Sequence, residues 1–357
     1  MTDEWKPTEN DLEMKNDHWN ILTRIIKGEA LSPMPVGFII DCPWLPNWAG
    51  VTMVDYFTHE ETWFQCHTKA SVAFPDILFL PGYWSEFGMC TEPSAFGARC
   101  SFPVNEFPHA HRIIHSSEDI DRLVKPNPET DGLLPFMLNR LVKYRSQIEQ
   151  SGQQIRFSVS RGPLNIASYL MGTTEFLMLI LMEPDRAHRL IRMITDFLIE
   201  WHDLQKKRID SIDGIFMLDD LIGFMSRDQF EEFGLPYFKE LYNRPVSVKF
   251  LHNDAPCRES APLLNAMGIN LFNMGTDVSL NELKVLTGPG ITLMGNLPPR
   301  DVLAAGTPGE VEKASREMIA ELTDTRYLLP SCGGGMPPGV SSDQIRAFLS
   351  GTRYRKS

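Results

Sequence analysis

Six side chains in this sequence could bind a metal ion or exchange a proton: Asp41, Asp219, Asp220, His252, Asp254 and Cys332. Each lies at the end of a short apolar run, in PVGFIID, GIFMLDD, VSVKFLHND and YLLPSCGGG. A histidine at a strand end can ligate a metal or pass a proton near neutral pH. An imidazole (His252), a thiolate (Cys332) and a carboxylate (Asp254 or Asp220) from different strands form a donor set that suits zinc. Their wide spacing is not that of a zinc finger, so the set reads as catalytic rather than structural. The plainer alternative is a hydrogen-bonded His252 and a packed Cys332. Glycines after Cys332 would let the backbone come close to a ligand. Asp219 and Asp220 are adjacent, and successive strand residues point opposite ways. One therefore faces the pocket, and the other caps the next helix or orients His252. Adjacent carboxylates are poorly placed to flank a scissile bond, which argues against a glycosidase.

The elements that must position these groups are eight apolar runs, at 35–41, 76–82, 155–162, 214–220, 246–254, 269–275, 291–297 and 327–335. Helix-like segments separate most of them. This alternation predicts an α/β fold, a (β/α)8 TIM barrel with an irregular insertion after the second strand. Such barrels carry their chemistry at the C-terminal ends of the strands. Residues 1–18 read as an N-terminal arm and 19–353 as a single barrel domain. The segment DCPWLPNWAG reads as a loop over the mouth, because its Pro and Trp content disfavours a helix interior. Helices are expected over Trp19–Ile26, Pro128–Glu149 and Pro184–Ile209, and a last one starting in SSDQIRAFLSG and ending at its glycine.

Residues 82–117 form the least regular part and are the expected active-site insertion. Tyr83, Trp84, Glu86 and Glu92 follow a strand end there and are candidate substrate contacts. A packed surface loop is the competing reading. Asp41 and Trp44 at the first strand end, and Tyr169 after the third, are further candidates. Asp76 starts its strand, so on position alone it is structural.

The chain has 357 residues and a formal charge of -12, from 34 basic and 46 acidic residues. That balance argues against a nucleic-acid binder, which would need a basic face. The N-terminus lacks the basic start and apolar core of a signal peptide. No stretch of about 18 apolar residues suggests a membrane span. A cytoplasmic location is the expectation. The six cysteines include no CxxC pair and do not read as a disulfide framework. No GxGxxG after a strand, P-loop, GxSxG or HExxH occurs.

The segments RIIKGEALSPMPV, FPDILFL, GPLNIASYLMG, GIFMLDDLIGFMSRDQFEEFGLPYFKEL, FLHND, MGINLFNMGTDVSLNELK, TLMGNLPPRDVLAAGTPGEVEKASREMI and PPGVSSDQIRAFL together resemble the uroporphyrinogen decarboxylase superfamily over about residues 19–350. The resemblance implies a (β/α)8 barrel. It also implies one of two activities, cofactor-free decarboxylation or zinc-dependent methyl transfer involving thiols or cobalamin proteins. Asp76 and Tyr169 match the decarboxylase aspartate and tyrosine. The arginine-rich substrate grip is replaced by DCPWLPNWAG, which has no arginine to meet a carboxylate-rich tetrapyrrole. The thiol-methylating branch resembles HxC with a late Cys, whereas here Asp254 stands in place of the first cysteine. This moves the chain toward the O-demethylase methyltransferases.

The resemblance thus implies Zn2+ in this chain, a small methyl donor such as a methoxylated aromatic, and a corrinoid (cobalamin) on a separate partner protein. A homodimer is left open. His252, Asp254, Cys332 and Asp220 are the candidate metal ligands. Asp76, Asp220 and His252 are the candidate catalytic groups. Asp41, Trp44, Tyr83, Trp84, Glu86 and Tyr169 are the candidate substrate contacts, with Phe87 and Trp48 as further aromatics that could pack on a phenyl ether. The alternatives are a decarboxylase of a smaller acid, dependent on Asp76, and a catalytically silent ligand-binding barrel.

Overall fold

A computed structural model describes residues 18–40 and 43–353. All eight expected strands form: β1 Val36–Ile39, β2 Ile77–Leu80, β3 Phe157–Arg161, β4 Gly214–Leu218, β5 Val248–Asn253, β6 Leu271–Met274, β7 Thr292–Leu297 and β8 Leu328–Cys332. β1 pairs with β2, and β3 to β8 form a continuous parallel sheet in sequence order. β1 runs beside β8, and the missing side chain of Gly37 makes this possible: a Cβ there would lie 2.7 Å from Leu329 Cδ2. The result is the expected barrel.

The strands are buried on both faces, as their near-continuous apolar composition requires. One face fills the barrel with Leu78, Phe157, Val159, Phe216, Phe250, Leu271, Met294 and Leu329. The other packs on the surrounding helices. The longest helix, Pro184–Arg208, has Pro in its first turn and Lys206, Lys207 and Arg208 in its last, matching the helix dipole at the C-terminal end.

The barrel wall has a seam. Among the described residues no ladder joins β2 to β3. Buried backbone groups on the open edge of β3 must find partners elsewhere. Gln205, from the long helix, supplies them as a neighbouring peptide would: its Oε1 accepts from Val159 N and its Nε2 donates to Val159 O, both at 3.0 Å. Glu92 Oε1 accepts from Arg161 N two residues on, at 3.2 Å. Ser158 and Ser160 face the long helix, where their hydroxyls meet the two ring nitrogens of His202 at 2.9 Å each.

Three local expectations need correction. DCPWLPNWAG contains a short helix, Leu45–Ala49, because Pro46 falls in the first turn where no N–H is needed, and Gly50 closes it in the left-handed region. The helix before β3 begins at Leu134, not Pro128. The last helix, Ser342–Arg353, runs through Gly351, which is kept small by close packing: a Cβ there would lie 2.3 Å from Glu312 O. The 82–117 insertion carries a short helix, Thr91–Ala95, and a hairpin pairing Cys100–Ser101 with His109–Ala110. Among the described residues no single helix is long and apolar enough to cross a membrane.

Candidate metal centre

Strand register builds the site. Arg161, Leu218, His252 and Asn273 are in register across β3 to β6. Because Val159, Leu218, Phe250 and Leu271 point into the barrel, Arg161, His252 and Asn273 do too. Asp220 and Asp254 lie two residues further along β4 and β5, on the same side and just above the barrel filling. The nearest ligating atoms of Asp220, His252 and Asp254 all lie within 4.8 Å of one another. Asp254 N donates to Asp220 Oδ1 at 2.7 Å, which ties the two loop ends together. Gly334, after β8, closes on this group: a Cβ there would overlap Asp254 Oδ1 at 1.8 Å, and its φ of +77° favours glycine.

The tautomer of His252 is fixed by its neighbour. Asn273 is fully buried. Its Nδ2 donates to Met294 O at 2.7 Å and to Cys332 O at 3.4 Å. Those two carbonyls can only accept, so Oδ1 is the atom facing His252 Nδ1, at 2.7 Å. His252 Nδ1 must then carry the hydrogen, which leaves Nε2 directed at Asp254 Oδ2, 3.6 Å away. This is the arrangement in which a ligating imidazole is held by a hydrogen bond from its other nitrogen.

Burial alone would push the His252 imidazole down, but the Asp254 carboxylate, its hydrogen bond and Asp220 outweigh it and raise the group to about 9. Burial pulls Asp254 the other way, and His252 and Arg300 bring its carboxyl below the ordinary value.

A second charged group sits beside this one. Arg161 Nη2 donates to Glu86 Oε2 at 2.8 Å, with both side chains almost wholly buried. The guanidinium lies 5.5 Å from the Trp84 ring. Burial disfavours its charge, but Glu86 and Glu92 more than restore it. Burial raises Glu92 to about 7 against the pull of Arg161, and its Oε2 has no hydrogen-bond partner among the described residues. Tyr169 is half-buried between this group and Asp220; burial raises its phenol and Arg161 opposes the rise.

The structure thus brings Asp220, His252 and Asp254 together and sets Trp84, Glu86 and Tyr169 beside them. Asp219 does not join them. Its carboxylate accepts from Leu164 N, Asn165 N and Leu221 N and so caps the turns after β3 and β4.

Five expected site residues are corrected or fall outside the description. Cys332 is on the outer face of β8, because Leu329 points inward and Cys332 is an odd number of residues away. Its Sγ donates to Gly334 O at 3.5 Å and is not part of the Asp220–His252–Asp254 group. Asp76 precedes β2, at the N-terminal end of the barrel, and pairs with Arg353 at 3.1 Å. It is on the face opposite the mouth, away from the Asp220–His252–Asp254 group. Trp44 and Tyr83 are core residues rather than mouth residues. Trp44 Nε1 donates to Val340 O and its ring stacks on Trp48 and Phe79, while Tyr83 stacks on Phe64 and His67. Asp41 lies outside the described residues.

Sequence reading missed Asn273 and Arg161. Both left a signal: each is a polar residue at an inward position of an apolar strand, in INLFNMG and RFSVSRG.

The family model described as uroporphyrinogen decarboxylase matches residues 22–353. Uroporphyrinogen decarboxylase of Schizosaccharomyces pombe is 23% identical, over 94% of this chain and 97% of its own length. A methylated-thiol–coenzyme M methyltransferase of Methanosarcina mazei is 24% identical, over 62% of this chain and 58% of its own. Among solved structures, a methyltransferase from Methanosarcina mazei superposes with a TM-score of 0.76 at 16% identity, covering 93% of this chain and 96% of that one. A barrel with eight strands in this order, matched by that family over nearly all of its described length, belongs to the uroporphyrinogen decarboxylase family.

Proposed function

We propose that the protein is a metal-dependent methyltransferase of this family, moving a methyl group from a small donor, of the methoxylated aromatic kind, to the corrinoid of a separate partner protein. The observation that carries the reading is the Asp220–His252–Asp254 group, with His252 Nε2 presented by Asn273. One imidazole and two carboxylates suit zinc, and the 4.8 Å spread needs only a small contraction around an ion. The methyltransferase names among the relatives and structural neighbours support the same class.

His252, Asp254 and Asp220 would hold the ion, which would supply Lewis acidity toward the oxygen that keeps the electrons of the broken methyl bond. Asn273 keeps the Nδ1 proton in place, so Nε2 stays available. Asp220 orients Asp254 through the backbone N–H of the latter. Trp84 and the buried Arg161–Glu86 pair support the adjoining side of the barrel mouth, where exclusion of water would favour the transfer.

Elemental analysis of the purified protein tests this. About one zinc per chain, lost in both His252→Ala and Asp254→Ala, is expected, together with methyl transfer to a free or protein-bound corrinoid. Undiminished zinc and transfer in both variants would sink the reading.

The decarboxylase names of several relatives favour a second reading, cofactor-free decarboxylation of a small acid. Its discriminating result is carbon dioxide release that persists after chelation of metals. Two observations count against it: Asp76 faces away from the mouth, and Arg161 is already engaged by Glu86.

A further inference from the structure

Two sulfurs meet inside the 82–117 insertion. Cys90 immediately precedes its short helix, Thr91–Ala95, and Cys100 opens its hairpin. The two thiols hydrogen-bond to each other, and Cys100 Sγ also lies 4.0 Å from Cys90 O. The backbone around them is held in place. Met89 N donates to Pro108 O at 3.2 Å, and Cys100 pairs with Ala110 across the hairpin. The two sulfurs differ in access: Cys90 is fully buried and Cys100 half-buried. The other described cysteines, Cys66, Cys257 and Cys332, are all buried.

This contact gives each thiol a role. The hydrogen bond from Cys90 favours the Cys100 thiolate and holds it below the ordinary thiol value, against its partial burial. The same bond, together with burial, pushes Cys90 up while Cys100 is free. Once the Cys100 sulfur is capped that bond is gone, and the Arg161 guanidinium and the Ser101 N–H both favour the Cys90 thiolate. A reachable thiolate beside a buried resolving thiol is the pattern of redox-sensitive cysteine pairs. Burial instead pushes Cys66 and Cys257 up to about 11 and about 12.

We propose that Cys90 and Cys100 form a reversible thiol–disulfide site, oxidised by a small disulfide, whose bond ties the helix of the insertion to its hairpin. The Cys100 thiolate attacks one sulfur of the reagent, whose S–S bond breaks and releases one thiolate. The Cys90 thiolate then attacks the Cys100 sulfur and expels the second. Two protein thiols are oxidised to one disulfide, the reagent is reduced to two thiols, and these take up the two protons. The bond fastens the segment that carries Glu92, which covers the open edge of β3 at Arg161 N. The site lies outside the metal group and stands whether or not the methyltransferase reading holds.

The reduced full chain is incubated with glutathione disulfide under native conditions, quenched with an alkylating agent and mapped by mass spectrometry without reduction. A Cys90–Cys100 cross-link, reversed by dithiothreitol, is expected, with Cys66, Cys257 and Cys332 still reduced. Cys90→Ser should stop at a glutathione adduct on Cys100. In Cys100→Ser, Cys90 should react at least roughly tenfold more slowly, because it is buried. Hydrogen exchange of the Met89 and His111 N–H groups should slow at least roughly threefold in the cross-linked wild type. Wild type that keeps an adduct on Cys100 without forming the bond would overturn the proposal. So would a bond from either residue to Cys42, reaction only in denaturant, or Cys90 reacting as fast without Cys100. Unchanged exchange at both N–H groups would refute the tie.

Discussion

Replacing Asn273 with Leu should strip metal affinity from the protein without touching a ligand. In the native arrangement Asn273 Oδ1 accepts the hydrogen of His252 Nδ1 at 2.7 Å, and the His252 side chain is only 8% exposed. Once Nε2 binds an ion, the Nδ1 hydrogen cannot relocate. With Leu at 273 it would be a buried donor with no acceptor, at a cost of about 1–3 kcal/mol. At 1.4 kcal/mol per decade this is a loss of roughly tenfold to a hundredfold in zinc affinity. The same change orphans Met294 O and Cys332 O, so the variant should also unfold more easily by about 1–3 kcal/mol. Asn273→Asp separates the two effects. It keeps an acceptor for Nδ1 but turns an oxygen toward two carbonyls, so it should lose stability and keep affinity. Competition with a chromophoric chelator reads the affinity, and urea denaturation of the metal-free proteins reads the stability. If Asn273→Leu held zinc as tightly as the wild type, or Asn273→Asp lost as much affinity as Asn273→Leu, the tautomer argument would be refuted.

Arg161→Met should destabilise the protein by about 3–5 kcal/mol, because it leaves Glu86 and Glu92 buried without their counter-charge; equilibrium denaturation reads this, and a loss below about 1 kcal/mol would contradict the pairing. Glu92 is raised from 4.5 to about 7, so the folded state holds its proton more tightly than the unfolded chain. Its contribution is full below pH 4.5 and is lost as pH rises through about 7, up to about 3 kcal/mol in all. Glu92→Gln should therefore gain on the wild type between pH 5 and 7.5 in paired denaturation curves, and parallel curves would refute the shift. Asp76→Asn should leave activity unchanged and cost at most about 1 kcal/mol, since its ion pair with Arg353 is at the surface; a large fall in turnover would place Asp76 in the chemistry after all. Cys332→Ala should keep its metal and lose stability through the cavity it opens in the outer core, and metal loss on elemental analysis would restore the thiol to the ligand set.

The barrel was legible because each strand is a short apolar run bounded by polar or Gly residues, and because both faces of a parallel sheet are buried. His252, Asp254 and Asp220 were legible for a related reason: a polar residue at the end of such a run has nowhere to go but the mouth. Strand alternation also explains Asp219, since of two adjacent aspartates only one could face inward, and the other caps the neighbouring turns.

Other assignments depended on a phase that sequence does not carry. Cys332 and Ser331 both end β8, and whichever faces the barrel is set by how β8 registers on β7, with Leu329 inward. Asp76 sits beside the strand in sequence, yet which end of the barrel it occupies depends on where β2 begins. Tyr83 and Trp84 are adjacent, but the turn after β2 sends one to the helices and the other into the barrel.

By itself the sequence determined the fold class and the group of polar strand ends, because burial periodicity and strand polarity are local properties. Only the tertiary structure decided the partners that give those residues their chemistry. Asn273 meets His252 from the adjacent strand, Gln205 and Glu92 cover an open sheet edge from distant segments, and Arg161 is matched by Glu86 across 75 residues of chain. Such pairings are long-range. They are set by register and by the satisfaction of buried polar groups, which act between elements and leave no periodic trace along the chain.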